Sequence, residues 1–389
     1  MKIAVIHTRY RQQGGEEVAF EAEARLLAEH GHDVCRIEAD NAELEAVPPP
    51  TAAALAVWNE KRRQDIAERL RSFKPDVVHF HNTFPLLSPA VYYAIPRRVA
   101  TVQTLHNYRL VCPAATLLRD SGVCEDCVGR APLPAVRYGC YRGSRAASAA
   151  AAIMLQVHRV LRTWQEQVDA FIALTSFAKG IFVRGGLPAE RVFVKPNFVD
   201  PDPGAGAHDQ DHFLFVGRLH EQKGIPLLLE AFSQTGLSLR IAGAGPLEAD
   251  VRAAAAALPT ITFLGSQPRA RVIDEMKTAR ALVVPSVSYE NFPLVLAEAF
   301  ATGLPVIVSD LPNLGELVVR AGAGWSFRNA NASDLARVLR QVNQDAEGRR
   351  VASGSARSLY QAEYTGAATH ATLEMVYRAA RRRVEVRFA

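Results

Sequence analysis

Two glutamates, Glu290 and Glu298, lie eight positions apart, a spacing at which their carboxylates could contact opposite ends of one ligand. A segment typical of a buried strand ends before the first, and the second lies in a segment typical of a helix. Pro293 suits the first turn of that helix, whose unpaired N–H groups can hold an anion. Glu298 would lie about 7–8 Å further along the axis. This geometry fits a sugar nucleotide, although an ordinary strand, turn and helix with one solvated and one capping glutamate also explains it.

Basic residues and glycines precede this stretch in the second half of the chain. Arg218 and Lys223 flank a loop before a helix predicted at residues 225–233. Arginine can bind a diphosphate through forked hydrogen bonds and lysine as a mobile point charge, whereas the alternative is two solvated charges on a turn. Gly243 and Gly245 lie in a strand-to-helix turn, where a ligand can approach the backbone closely.

The first half of the chain has histidines near predicted strand ends. His79 and His81 alternate along one strand and therefore face the same side. His106 follows a second strand at residues 100–104. Gly14 and Gly15 lie in a loop at residues 9–17, between a strand and a helix, but lack the spacing of a dinucleotide fingerprint. Strand ends are where an open parallel sheet binds ligands, so these positions are candidate site residues.

Four of the five cysteines lie close together in the sequence, with the spacing Cys-x11-Cys-x2-Cys-x12-Cys. Four thiolates can complete the shell of a structural zinc ion, so Cys112, Cys124, Cys127 and Cys140 are candidate zinc ligands. Reduced thiols, a disulfide pair or an iron–sulfur cluster are the alternatives. Cys35, on a predicted strand, is expected to be a buried small residue.

Length and composition indicate a globular protein of two domains. The chain has 389 residues, 49% of them hydrophobic and 22% charged. The net charge of +5 favours anionic partners, but no basic and aromatic pattern indicates nucleic-acid binding. With no signal peptide or membrane span recognised and an odd number of cysteines, a cytoplasmic location is expected.

Strand and helix patterns alternate through both halves, which indicates parallel sheets with crossover helices. A linker rich in proline, glycine and aspartate at residues 201–210 separates the halves. A long helix predicted at residues 51–73 carries apolar and basic residues, which suits either a solvated face or contact with the inner surface of a membrane. A second helical region is predicted at residues 144–168.

Several of these segments resemble family 4 retaining glycosyltransferases, which have the GT-B fold. The resemblance rests on Glu-Asn-Phe-Pro-Leu-Val-Leu-Ala-Glu-Ala from Glu290, on Gly-Arg-Leu-x-x-x-Lys-Gly from Gly217, and on the Gly14-Gly15 loop. Phe198 replaces the usual glycine of the Pro-Asn-Gly-Val-Asp motif. The resemblance covers nearly the whole chain, and a subset of the family has similar cysteines.

The resemblance implies an α/β fold of two Rossmann-like, doubly wound parallel-sheet domains facing across a cleft. Residues 1–200 would be the acceptor side, with a cysteine-rich insert at about 108–145. Residues 201–368 would bind the nucleotide sugar, and residues 369–389 would form a helix that crosses back to the first domain.

The resemblance also implies the reaction: transfer of a sugar from a UDP- or GDP-sugar to a glycan, lipid-linked or small-molecule acceptor. The catalytic residues would be Glu290, His106, Arg218 and Lys223. The donor would be bound by Glu298, Asn291, Phe292, Pro293, Leu294, Gly243, Gly245, Gly14 and Gly15.

No cofactor is expected for catalysis, because no Asp-x-Asp motif of the kind that binds a catalytic metal is recognised; a structural zinc is possible. The alternatives are a sugar-nucleotide epimerase, a phosphorylase, a non-catalytic nucleotide-sugar binding protein and, more distantly, a Rossmann oxidoreductase.

Overall fold

The computed structural model describes residues 1–10, 14–120 and 122–389. The strands, in chain order, are β1 (Lys2–Arg9), β2 (Asp33–Asp40), β3 (Val77–Phe80), β4 (Ala100–Leu105), β5 (Leu118–Arg119), β6 (Gly122–Val123), β7 (Ala170–Ala173), β8 (Val192–Val194), β9 (Phe213–Val216), β10 (Leu239–Ala242), β11 (Ile261–Gly265), β12 (Ala281–Val284), β13 (Val306–Ser309) and β14 (Gly324–Phe327). The helices are α1 (Gly15–Glu29), α2 (Pro49–Val57), α3 (Glu60–Phe73), α4 (Leu133–Arg137), α5 (Arg145–Val160), α6 (Thr163–Gln167), α7 (Ser176–Arg184), α8 (Ile225–Ser233), α9 (Glu248–Ala257), α10 (Arg269–Thr278), α11 (Leu294–Thr302), α12 (Pro312–Val318), α13 (Ala332–Gln344), α14 (Ala346–Glu363) and α15 (Gly366–Phe388).

The long strands form two six-stranded parallel sheets. The first has the order β2-β1-β3-β4-β7-β8 and the second the order β11-β10-β9-β12-β13-β14. Strands such as β3, β7 and β12 are buried along their whole length, because helices cover both faces of each sheet. The prediction of two doubly wound parallel sheets is confirmed.

Each sheet has one point where the strand order reverses. In the first sheet it lies between β1 and β3, and in the second between β9 and β12. Crossover connections leave in opposite directions there, so a crevice opens at the carboxyl ends of the two strands. The loops after β1, β3, β9 and β12 are therefore the ones that each fold places around a ligand.

The chain divides into two compact units. The first comprises residues 1–117, 124–196 and 369–389, and the second residues 118–123 and 197–368. The antiparallel pair of β5 and β6, which lies in the cysteine-rich segment, is thus grouped with the second unit. The core of the first unit includes side chains from α15 as well as from its strands; those of α15 are Leu373, Val376, Tyr377, Ala380 and Val384.

Two long predicted helices are each divided in the structure. The helix expected at residues 51–73 is α2 and α3, because Asn59 begins a new helix by accepting a hydrogen bond from the Arg62 N–H. The buried Asn59 amide also donates to the Leu86 carbonyl. The helical region expected at residues 144–168 is α5 and α6, separated near Arg162, which has a left-handed backbone with φ 52°.

Other differences concern segments with weak patterns. No helix or strand was predicted for residues 312–327 or 346–363. The structure has α12 and β14 in the first range and α14 in the second. Within the described ranges, no helix combines the length and the apolar composition that crossing a bilayer requires.

Candidate active site

At the switch point of the second sheet, Lys223 and Glu290 form an ion pair. Lys223 follows β9, Glu290 follows β12, and the Lys223 Nζ lies 2.5 Å from the Glu290 Oε1. The Ser286 hydroxyl donates to the same oxygen at 2.6 Å. A backbone hydrogen bond of 3.0 Å from Val287 N to Gln222 O joins the two loops. Two of the predicted catalytic residues, 67 positions apart in the sequence, are therefore in direct contact.

Ser286 and Asn313 support Glu290 and were not among the predicted residues. The fully buried Asn313, in the first turn of α12, donates its side-chain amide to the Glu290 backbone carbonyl. Ser286 is also fully buried. A serine shortly after a strand and an asparagine at a helix start are common in any α/β fold, so only their contacts with Glu290 distinguish these two residues.

Arg218 is a predicted catalytic residue that stands apart from this pair. It lies in the loop after β9 and is exposed. Among the described residues its guanidinium has no carboxylate partner, whereas Lys223 is already paired. In the loop after β9, Arg218 is therefore available to an anionic ligand, whereas an anionic ligand at Lys223 would share that lysine with Glu290.

Two of the predicted site glycines, Gly243 and Gly245, lie where another loop's backbone comes too close for any side chain. Gly243 has φ +153°, and a Cβ there would lie 1.9 Å from the Gly217 carbonyl oxygen. A Cβ at Gly245 would lie 2.4 Å from the Leu219 carbonyl oxygen. The loops after β9 and β10 therefore pack backbone against backbone, which only glycine permits.

Helix α11 begins at Leu294, one residue after Pro293, so the proline precedes the first turn that it was predicted to occupy. Phe292 is buried, and its ring centroid lies 5.6 Å from that of Tyr364. Asn291 is half-buried on the same loop. The aromatic contact anchors the loop between Glu290 and the helix.

Glu298 forms a separate pair. Its Oε1 accepts a hydrogen bond of 3.0 Å from the Arg269 Nε, and its side chain is 10% exposed. Burial raises the pKa of Glu298, and the Arg269 guanidinium opposes that rise. Arg269 is a candidate site residue that the sequence reasoning did not include.

In the first unit, His106 belongs to a buried network of charged and aromatic groups. Its Nε2 lies 2.8 Å from the His81 Nδ1, and the His81 Nε2 lies 3.4 Å from the Glu23 Oε1. The other Glu23 oxygen pairs with the Lys195 Nζ at 2.8 Å. His79 also contacts Glu23, at 3.1 Å, as expected if His79 and His81 face the same side of β3.

Glu23 is ionised in this network, although it is buried. Burial by itself would raise the pKa of the carboxyl, but the Lys195 ammonium holds it well below its usual range. For His81 and His106, burial lowers the pKa despite the nearby Glu23, so both rings are neutral.

The position of Glu23 favours one pair of tautomers for His81 and His106. An ionised carboxylate only accepts, so it favours a proton on the His81 Nε2, which faces it at 3.4 Å without forming a hydrogen bond, and the His81 Nδ1 would then accept from the His106 Nε2–H. His106 then presents Nδ1 as a hydrogen-bond acceptor, suited to a hydroxyl group. The sequence analysis included neither Glu23 nor Lys195. Glu23 lies three residues after Phe20, on the same face of α1, and that spacing is the signal that could have indicated it; no comparable signal exists for Lys195.

Gly14 and Gly15 lie at the start of α1, where the Glu17 carboxylate accepts hydrogen bonds from the backbone N–H groups of Gly14 and Tyr10. The middle of the predicted glycine loop, residues 11–13, lies outside the described residues. Burial, with the adjacent Glu17, raises the pKa of Glu16 to about 8. The Asn107 amide lies 3.4 Å from this carboxyl.

A cavity of about 550 Å³ lies in the first unit. Alanines of α2 and α5, with prolines and aliphatic side chains, form most of its wall, and Arg142 is one of its charged residues. Phe84 also lines it, and the Arg109 guanidinium lies 4.4 Å from the Phe84 ring centre. Because Phe84 follows β3 and Arg109 follows β4, the cavity adjoins the carboxyl ends of these strands.

All five cysteines are free thiols. Burial raises the pKa of Cys127 to about 11, and the thiols of Cys112, Cys124 and Cys140 contribute to that rise, so the four lie near one another. Within the described ranges, the groups whose ligand atoms all lie within 4.8 Å contain no cysteine. The thiols would have to move closer to enclose zinc, and the zinc site stays a prediction.

The chain does contain Asp-x-Asp triplets, at Asp200–Asp202 and Asp209–Asp211, contrary to the sequence interpretation. Asp202 pairs with Arg357 at 2.5 Å, and Asp211 pairs with Arg280 at 2.7 Å. These aspartates thus stabilise structure within the second unit.

Two family descriptions match the chain: Glycosyltransferase Family 4 over residues 13–203 and Glycosyl transferases group 1 over residues 201–359. A relative named glycogen synthase, from Mycobacterium tuberculosis, is 27% identical over 336 residues, which cover 80% of this chain and 70% of the relative.

Solved structures have the same fold. Sucrose-phosphate synthase from Thermosynechococcus elongatus aligns with a TM-score of 0.73 and 18% identity, over 97% of this chain and 98% of that one. The Anabaena protein Alr3699/HepE in complex with UDP aligns with a TM-score of 0.66 and 17% identity, over 97% and 99%. The matched domains and these relatives identify the chain as a glycosyltransferase of the GT-B, family 4 type.

Proposed function

We propose that the protein transfers a sugar from a UDP- or GDP-sugar to an acceptor, with retention at the anomeric carbon. The observation that carries this proposal is the contact between Lys223 and Glu290 at the switch point of the second sheet, beside the exposed Arg218. The solved complex of a similarly folded protein with UDP supports a uridine donor as the first to test.

The difficulty in this reaction is the departure of a charged diphosphate from a positively charged sugar centre. Arg218 and Lys223 would stabilise the charge that gathers on the phosphate, because preorganised cations bind the transition state better than the ground state. Glu290, released from Lys223 or sharing it, would bind sugar hydroxyls and stabilise the positive centre. The departing phosphate would take the acceptor proton.

The remaining residues would position the donor. Glu298 would bind ribose hydroxyls, with Arg269 keeping it ionised. His106 would accept a hydrogen bond from a sugar hydroxyl through Nδ1, in the tautomer that the position of Glu23 favours.

The test is donor hydrolysis and thermal stabilisation across UDP-, GDP-, ADP- and dTDP-sugars, for the wild type and for Glu290→Gln. We expect Glu290→Gln to lower turnover by at least about 100-fold, the cost typical of removing one electrostatic contact in a transition state. Glu248→Gln is the matched control, because Glu248 pairs with Arg252 on the exposed surface of α9. Wild-type protein that neither reacts with nor is stabilised by any nucleotide sugar would exclude the proposal.

The same assay separates the alternatives. Dependence on inorganic phosphate would indicate a phosphorylase, and turnover to an isomeric sugar nucleotide without an acceptor would indicate an epimerase. Donor binding with unchanged affinity and no turnover in the wild type and Glu290→Gln would indicate a binding protein.

We infer further that the acceptor carries a hydrocarbon chain. The cavity of the first unit supports this, since its wall is mainly apolar, with Glu45 and Arg142 as its charged residues. Filling the cavity with Ala147→Leu should weaken binding of octyl β-glucoside and leave donor hydrolysis unchanged. Methyl β-glucoside, which lacks the chain, is the matched probe; equal binding of both glucosides by the wild type would exclude the inference.

A further inference from the structure

His32, His370 and Glu374 form a cluster in the first unit, away from the residues discussed above. His32 directly precedes β2, and the other two lie one helical turn apart on α15. The His32 Nε2 lies 3.1 Å from the His370 Nε2 and 4.0 Å from the Glu374 Oε1. One ligand atom from each of the three residues lies within 4.8 Å of the others, and all three are half-buried.

Two imidazole nitrogens and one carboxylate oxygen are a ligand set for transition metals. Zinc binds both at about 2.0–2.2 Å, which in a tetrahedral shell places ligand atoms about 3.3 Å apart. The separations of 3.1 Å and 4.0 Å lie on either side of that value, so small side-chain rotations suffice. We propose that His32, His370 and Glu374 bind a divalent transition metal ion such as Zn²⁺.

Neighbouring groups orient these ligands. The Arg378 Nη2 donates to the Glu374 Oε2 at 2.7 Å, which leaves Oε1 directed at the histidines. The His30 ring stacks on the His370 ring, with centroids 3.9 Å apart. Such outer partners fix ring orientation and strengthen metal sites.

Charged groups also surround the cluster. Two cations lie near it: the Met1 amino group, 3.3 Å from the His32 Nδ1, and Arg378, which pairs with Glu374. Glu374 supplies the negative charge that favours a divalent ion at this position.

A metal here would connect the start of β2 to α15. Since α15 contributes five side chains to the core of the first unit, fixing its first half would stabilise that unit. A metal ion at 100 times its dissociation constant should raise the unfolding midpoint by about 5 °C or more. The role is structural, and it does not depend on the proposed reaction.

The experiment is a Co²⁺ titration of metal-stripped full-length protein, followed by visible absorption and by equilibrium dialysis. Co²⁺ bound to thiolates gives strong near-ultraviolet bands, so any ion on the four cysteines is distinguished from one on His32, His370 and Glu374. We expect one equivalent without thiolate bands, displaceable by Zn²⁺. His370→Ala and Glu374→Gln should each weaken it at least about 10-fold.

Glu385→Gln is the matched control, because Glu385 lies on the same helix and is exposed. It should bind the metal as the wild type does, and circular dichroism should show all variants folded. The proposal is overturned if the wild type binds Co²⁺ through thiolates only or not at all, or if Glu374→Gln and His370→Ala bind with wild-type affinity.

Discussion

Glu290 and Glu23 are carboxylates paired with a lysine, one in each unit, but they differ in exposure. The Glu290 side chain is 16% exposed and that of Lys223 31%, whereas Glu23 and Lys195 are each 3% exposed. A pair with access to water is separated at small cost, so a ligand can take over either partner. Removing one partner of a buried pair costs about 3–5 kcal/mol, so Glu23 and Lys195 act as fixed structure that orients His81 and His106.

The buried imidazoles make the first unit sensitive to acid. Burial lowers the pKa of His79 to about 3, whereas in the unfolded chain it titrates near its ordinary value of about 6.5. Below pH 6.5 the unfolded chain therefore takes up a proton that the folded chain refuses. The contribution of the neutral His79 to the free energy of unfolding is fully present above this pH and is lost as the pH falls towards 3. His79 alone should cost about 1.4 kcal/mol between pH 7.5 and pH 5.5, and His81 and His106 act in the same direction.

Urea unfolding at these two pH values measures this loss. In a Trp325→Phe background the remaining tryptophans, Trp58 and Trp164, belong to the first unit and report on it alone. His79→Gln should reduce the pH dependence by the stated amount. Glu23, whose pKa is held well below its usual range, stays ionised in both folded and unfolded chains over this interval. An unchanged unfolding midpoint would contradict the prediction.

Among the elements, the loops at the second switch point depend on glycine. Gly243 and Gly224 each allow one loop to contact the backbone of another, since a Cβ would lie 1.9 Å from the Gly217 oxygen and 2.0 Å from the Pro285 oxygen respectively. Loops joined in this way cannot move independently. The position of Lys223 relative to Glu290 is thus set by backbone contacts as much as by the ion pair.

Gly243→Ala should therefore destabilise the second unit by at least about 3 kcal/mol, from steric overlap and the unfavourable φ together. Gly236→Ala is the matched control, because it has φ +67° but no atom within 4 Å of the added Cβ. That change should cost only about 1–2 kcal/mol. Hydrogen exchange of peptides from β9 and β10 provides the measurement, and equal protection in the two variants would show that the contact is unimportant.

For the whole molecule, α15 shows how the end of the chain completes the core of the first unit. Leu373, Val376 and Tyr377 are fully buried, and the Tyr377 hydroxyl lies 2.8 Å from the His79 Nδ1. The helix therefore contributes both apolar packing and a polar contact to the network behind His106. The last of the three segments of the first unit, residues 369–389, follows residues 197–368, so the first unit is complete only after the second unit has been synthesised.

Leu373→Ala should destabilise the first unit by about 2–5 kcal/mol, because it leaves a cavity in a close-packed core. Met375→Ala, on the same helix but 49% exposed, should change its stability by less than about 0.5 kcal/mol. Urea unfolding in the Trp325→Phe background compares the two. Similar midpoints for Leu373→Ala and the wild type would mean that α15 is dispensable for the core.

Local patterns predicted much of this molecule. Apolar runs separated by helical segments indicated the parallel strands. Short motifs predicted Glu290, Lys223 and His106 as candidate site residues, since the residues of a loop after a strand are neighbours in sequence. The ends of helices were predicted less accurately. The capping residue Asn59, for example, is held in place by hydrogen bonds to Leu86 and Ser88, about 30 residues away.

By itself, the sequence determined the fold class and the candidate residues at the strand ends. Only the tertiary structure brought Lys223 to Glu290, linked Glu23 and Lys195 to His106 through His81, and placed His32 beside His370, 338 positions later. The physical reason is that periodicity and turns are local properties of the chain. The pairing of a charge with its partner depends on how distant segments pack. The sequence around either residue of such a pair contains nothing that indicates the partner.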